Sequence, residues 1–230
     1  MKAIDLKENF IKKFYFFKLL SLTIILSVFF VNVAFTQKVD TKATDILKKV
    51  SDKTKSYNGI KIDFSLNIFN KKNNTQTNKK GVLHVSKNKY NLSIDGQIIL
   101  SDGKSVWSYN SDANEVQIYN AGEDEDISPD KILTIWENDF KQKYMKEELL
   151  NNVKCDVIEL IPNKAKSYFK IRIYVNQAKL QVEKVLIFDK EGSITTYTIN
   201  AFSPLTSINS NLFVFNKQNY PKAEIVDLRD

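Results

Sequence analysis

The sequence predicts a mainly β (α+β) protein, a strongly curved and half-open antiparallel β-barrel of about 10–11 strands covered on its concave side by two to three short helices. Three observations predict it. Asp95-Gly96 and Asp102-Gly103 stand between short β-rich runs, the strongest hairpin signal a short stretch can carry. Alternation at a period of two recurs along the chain, from Ile60-Lys61-Ile62-Asp63-Phe64 to the β-branched runs before Phe202. Helical signs are confined to the segments after Asp40 and Ser128. Consecutive strands joined by short turns pair antiparallel, and a sheet of that many strands has to curl or close.

The first 36 residues stand apart. Lys2, Lys7, Lys12, Lys13 and Lys18 precede an almost purely apolar run from Leu19 to Phe35. A basic start, an apolar middle and a polar exit at Thr36-Gln37 describe a secretory signal peptide, residues 1–36, cleaved before Gln37. The same run is also long enough to remain as a membrane anchor. Residues 37–230 are expected to form a single domain. The whole chain carries +7, much of it from those first lysines, and no basic stripe interleaved with aromatics follows, so nucleic acid is not indicated. Cys155 is the only cysteine, so no disulfide forms within the chain.

Ala43, Ile46, Leu47 and Val50 fall at helical spacing behind Asp40 or Thr41 as N-cap. Their amphipathic helix, over 41–56, is expected to lie on the sheet. Ile60 to Ile68 alternate as a half-buried strand. Lys71 to Lys80 reads as a polar loop, and strands are expected at 81–85, 89–94, 97–101, 106–109 and 115–120. Glu123 to Ile127 is an acidic loop. Ser128-Pro129-Asp130 has the form of N-cap, N1 proline and first-turn acid, opening a second helix over 128–140 that presents Ile132, Leu133, Trp136 and Phe140. Further strands are expected at 153–161, 169–175, 182–188, 193–202 and 212–215, before an extended tail.

No catalytic constellation emerges. His84, the single histidine, lies mid-strand without a nucleophile at triad spacing, and one histidine makes no typical zinc site. Cys155 has no base beside it, and Glu123 to Asp126 lack the spaced ligands and turn glycine of a calcium loop. No glycine-rich phosphate loop is present. The chain reads as a binder, without enzyme activity, cofactor or metal. Its apolar sets, Ile60/Ile62/Phe64/Leu66, Tyr90/Leu92/Ile94, Ile98/Leu100, Trp107/Tyr109 and Ile132/Leu133/Trp136, describe either a filled core or the wall of a cavity. Periodicity alone does not choose between them.

The segments Tyr57-Asn-Gly-Ile-Lys-Ile-Asp-Phe64, Gly81-Val-Leu-His-Val85 and Ser101-Asp-Gly-Lys-Ser-Val-Trp-Ser-Tyr-Asn110 resemble the periplasmic outer-membrane lipoprotein carriers, the LolA-like family. The last is the most specific. The resemblance implies acylated lipoproteins as cargo, with these apolar sets lining an acyl-chain cavity. It also implies an inner-membrane lipoprotein-releasing transporter as donor, an outer-membrane acceptor, a monomer and a periplasmic location. Family members hold a helical lid closed with an arginine in the turn after the strand that ends here at Val85. Lys87 stands near that position, without the planar fork that arginine offers. Two alternatives share the features: an envelope lipid or lipoprotein sensor on the same fold, and a secreted structural β-protein with a filled core.

Overall fold

The structure, a computed structural model, describes residues 40–122, 129, 131–137 and 139–229. The expected signal peptide, the acidic loop 123–127, and Ser128 and Asp130 lie outside the described residues. One helix opens the described chain, α1 (Thr41–Lys55), capped by Asp40, whose Oδ1 accepts from the Ala43 N–H at 3.1 Å. Its apolar stripe of Ala43, Leu47 and Val50 is buried, and its lysines face outward.

Twelve strands follow, and all join one open, curved sheet. They are β1 (Gly59–Asn70), β2 (Thr75–Ser86), β3 (Lys89–Ile94), β4 (Gln97–Ser101), β5 (Ser105–Asn110), β6 (Glu115–Asn120), β7 (Phe140–Leu150), β8 (Val153–Pro162), β9 (Tyr168–Asn176), β10 (Gln181–Asp189), β11 (Ser193–Leu205) and β12 (Glu224–Asp227). Their order is β12-β6-β5-β4-β3-β2-β1-β11-β10-β9-β8-β7. The two halves are meanders sewn together by the long β1–β11 ladder. Register shifts in that ladder at Asp63/Phe64, and in others at Tyr144/Lys146 and Val182/Lys184, place bulges where they add bend.

Several expectations are corrected. Thr75 to Lys80 is strand, not loop; Asn67 Nδ2 donates to Asn78 Oδ1 across the ribbon at 2.7 Å. With both faces wet there, the residues carry no apolar alternation to reveal the strand. β7 is an addition to the expected strands: Lys141, Lys143, Lys146, Glu147 and Glu148 charge an edge strand, which discourages pairing with other chains. The helix over 128–140 is replaced, among the described residues, by a turn at 131–134 and a 3-10 turn, Ile135–Glu137. Asp139, at φ 57°, turns the backbone left-handed and the next residue begins β7. Among the described residues one α-helix therefore covers the sheet, rather than two or three. Leu212 to Phe215 is no strand either; a 3-10 turn, Ser210–Phe213, ends it.

Cα partners facing one another across a ladder share a face, so the register sorts residues to sides. The inner, helix-bearing face carries the rung Ile62–Leu83–Leu92–Ile99–Ser108–Gln117. One residue along, the outer face carries Lys61–His84–Asn91–Leu100–Trp107–Ile118. The two rungs exchange character between β3 and β5. Inside, apolar gives way to polar; outside, polar gives way to apolar. The segment after β11 covers that outer apolar patch. Asn58 Nδ2 donates to Thr206 O at 2.9 Å, Asn91 Nδ2 to Leu212 O at 2.7 Å, and Asn114 Nδ2 to Lys222 O at 2.9 Å. These amides pin the crossing chain until β12 pairs parallel with β6.

Candidate functional site

The inner face holds two apolar clusters. One lies under α1 and joins Ala43, Leu47, Val50 and Trp136 to Ile158, Leu160, Ile171, Ile173, Val182 and Val185. The other gathers Ile60, Ile62, Phe64, Leu66, Leu83, Val85, Tyr90 and Leu133. Where they meet the packing is incomplete. A cavity of about 340 Å³ remains, at the low end of the ~300–1,000 Å³ typical of ligand sites.

Its walls come from both halves of the sheet and from the connection between β6 and β7. Ile62, Phe64, Leu66 and Leu83 come from β1 and β2; Leu92, Ile94 and Ile99 from β3 and β4; Val185, Ile187, Tyr197 and Ile199 from β10 and β11. Pro129, Ile132 and Leu133 of the connection close it over. That connection is tied at one end. Trp136 Nε1–H donates to Leu47 O at 3.1 Å and Ser51 Oγ at 2.8 Å, while Lys55 Nζ reaches Glu137 Oε2 at 2.7 Å. Gln142 Nε2 donates to Trp136 O at 2.8 Å. Apart from Lys79 and Gln97, every described side chain lining the cavity is apolar or aromatic.

Of the residues the sequence nominates, Ile62, Phe64, Leu66, Leu92, Ile132 and Leu133 line the cavity. Tyr90 is buried in the same cluster without reaching the cavity. Ile98 and Leu100 point the other way, and Ile99 between them lines the wall. Trp107 and Tyr109 also face outward, against Phe215 and Tyr220; the Tyr109 and Tyr220 rings stand 4.5 Å apart. Sequence parity places each pair on a common face correctly and leaves open which face is inner. Trp136, 2% exposed, sits in the helix cluster rather than on the cavity wall. Lys87 lies at φ 56° in the exposed turn between β2 and β3, and makes no ion pair among the described residues.

Ile94, set beside Tyr90 and Leu92 by the sequence, lines the cavity as well, whereas Ile187, Tyr197 and Ile199 escape the sequence reading. Their strands are expected, but only the register shows which alternate residue meets the cavity. Gly81 also escapes it, as the seat of the Phe64 ring that lines the wall. It has no side chain, and the Phe64 ring occupies the space a Cβ would need.

Among the described residues the polar groups elsewhere form no cluster comparable to this cavity. His84 sits on the outer rung between Lys61 and Asn91, and burial, aided by the Lys61 charge, lowers its pKa. Cys155 is wholly buried, and burial raises its thiol to about 11, so it is no nucleophile. Glu159 is pushed up by burial, yet its bonds from Arg172 (2.6 Å) and Lys170 (3.0 Å) prevail and hold it below its usual range. Among the described residues no group of acidic, histidine or cysteine side chains could hold a metal ion. No described helix is long and apolar enough to cross a membrane.

Comparison with known proteins places this cavity in context. An outer-membrane lipoprotein carrier protein of Shewanella pealeana is 25% identical over 122 residues, 53% of this chain and 55% of that protein. An uncharacterised protein of Methanocaldococcus jannaschii is 27% identical over 175 residues, 74% of this chain and 50% of that protein. The matches thus span about half the length of these relatives. The crystal structure of an uncharacterised conserved protein from Thermus thermophilus superimposes with a TM-score of 0.57 at 11% identity, covering 81% of this chain and 99% of that one. The family model described as outer membrane lipoprotein carrier protein LolA matches residues 55–216, from the end of α1 into the crossing segment. With the apolar inner cavity and the twelve-stranded curved sheet, that match makes this chain a member of the LolA family.

Proposed function

We propose that this protein shelters the acyl chains of lipoproteins in its inner-face cavity and ferries them from the inner to the outer membrane. The cavity itself carries the proposal: an apolar space between the sheet and the β6–β7 connection, beyond what a filled core leaves. Each methylene taken out of water is worth about 0.8 kcal/mol, so a multiply acylated protein does not leave a membrane unshielded. The family match supports the same role. A filled structural core is disfavoured by the cavity.

The connection carrying Pro129, Ile132 and Leu133 is the natural cover to move when cargo enters. Opening has to cost only a few kcal/mol, or loading and release would both stall. The proposed setting is the periplasm, reached through a cleaved signal peptide over residues 1–36. The partners are an inner-membrane lipoprotein-releasing transporter and an outer-membrane acceptor, and the protein acts as a monomer without enzyme activity.

The test is transfer of a fluorescent triacylated peptide between two populations of liposomes. Faster transfer in proportion to added protein is expected. No acceleration by a protein that does bind the peptide would favour a sensor, and absence of binding would remove the acyl-chain role altogether.

A further inference from the structure

The hydrogen-bonding groups of the cavity wall are not scattered. Leu66 faces Lys79 across the β1–β2 ladder and Tyr197 across the β1–β11 ladder, so all three lie on one inner rung. Lys79 and Tyr197 both line the cavity. Tyr197 packs its ring at 6.0 Å from that of Phe64, and its hydroxyl has no partner among the described residues. Gln97, the other polar lining residue, lies on the neighbouring inner rung with Ile94, Gly81 and Phe64. From there toward Leu83 and Ile62 the described residues of the wall offer only hydrocarbon. The cavity thus has a polar end and an apolar end.

The ammonium of Lys79 is engaged by Asp95 in the β3–β4 turn at 3.0 Å. The lysine side chain is 32% exposed and the aspartate 60%. An ion pair that wet contributes little, and an anion with better geometry can replace the aspartate. The rung therefore presents a cation whose present partner is exchangeable and, one strand to the other side of Leu66, a hydroxyl free to donate. A neutral ester carbonyl can accept from either group but cannot replace the aspartate's charge; an anion replaces that charge and uses both.

We propose that the cavity takes an amphiphile whose single head is anionic, a carboxylate or a phosphate, bound tail-first with Lys79 and Tyr197 holding the head. This rests on the acyl-chain reading of the cavity, and adds to the acylated lipoprotein a smaller ligand with its own head. Asp95 is the competitor that the head displaces. Lys79 is then the residue that sets head-group specificity, and the hydrocarbon wall sets affinity for the tail.

The experiment is displacement of a neutral fluorescent acyl probe by palmitate, hexadecyl phosphate and neutral monopalmitoylglycerol, which share one chain length. The wild-type protein is expected to bind at least one anionic amphiphile about tenfold tighter than the neutral one, as a bond to a charged group should give. Lys79→Met should abolish that preference, weakening the anionic amphiphiles far more than the neutral one, and Lys79→Arg should keep it. Asp95→Asn should strengthen anion binding, and Tyr197→Phe should weaken it. Preference for palmitate alone points to a fatty acid; preference for hexadecyl phosphate alone points to a phospholipid head. Equal binding of charged and neutral heads, or a preference that survives Lys79→Met, overturns the proposal and leaves the acyl-chain reading standing. Binding of none of the three removes both.

Discussion

The ring of Phe64 lies across Gly81 on the neighbouring strand, so close that a Cβ on Gly81 would stand 2.5 Å from Cζ and 2.9 Å from the Ser93 carbonyl oxygen. Phe64 and Gly81 are directly opposed in the β1–β2 ladder. The glycine is therefore a seat for the ring, and the ring's position sets one wall of the cavity.

Gly81→Ala should push Phe64 off that seat and into the cavity. Overpacking of this kind costs about 1–3 kcal/mol, seen as a lower denaturation midpoint. Acyl-probe affinity should fall with it. The double variant with Phe64→Leu should recover part of the stability, because the shorter side chain vacates the contested space. A double-mutant cycle measures the coupling.

Trp136 is a core residue by its placement, and its substitution should unfold rather than merely unlatch. Its indole is buried and its N–H is shared between Leu47 and Ser51 of α1. Trp136→Ala should cost about 3–5 kcal/mol. Chemical denaturation monitored by circular dichroism checks it. A variant that melted like the wild type but lost its ligand would make Trp136 part of the moving cover instead.

Asp40 ties the start of α1 to the edge of the sheet: Oδ1 caps Ala43 while Oδ2 accepts from the Tyr144 N–H at 2.7 Å. The Tyr144 and Ala43 N–H groups hold its carboxyl below its ordinary value of 3.8. A depressed carboxyl contributes stability above its unfolded value and loses it as pH falls through the folded one. Helix docking should therefore weaken only below about pH 4. Asp40→Ala should cost about 1 kcal/mol at neutral pH and lose that acid-dependent component, measured as melting temperature against pH.

Cys155 should be silent toward thiol reagents at pH 8 while the protein is folded. It is wholly buried, and its thiol is raised to about 11, so almost no thiolate exists to react. Labelling should appear only with denaturant, at the same midpoint as the loss of circular dichroism. Rapid labelling of the native protein would contradict the packing around Val157 and Tyr174.

The parts of this fold that the sequence shows are those whose signal is local. Asp40 caps its own helix, and Asp95 and Gly96 both take positive φ in the tight turn they announce. The parts it hides depend on distant partners. Trp107 and Tyr109 alternate like cavity residues, yet they face outward because Phe215 and Tyr220, more than 100 residues later, return to cover them. Ile99, rather than Ile98 or Leu100, meets the cavity because the β3–β4 register sets it opposite Leu92. β7 announces nothing, since an edge strand needs charge more than hydrocarbon.

The most direct test of the carrier proposal is a titration of a fluorescent acyl probe against three proteins: wild type, Ile99→Trp, which fills the cavity, and Trp107→Ala, which alters only the outer face. The proposal predicts saturable binding by wild type, a loss of tenfold or more in folded Ile99→Trp, and binding by Trp107→Ala close to wild type. Binding that survives in Ile99→Trp and is lost in Trp107→Ala would put the ligand on the other side of the sheet and contradict it.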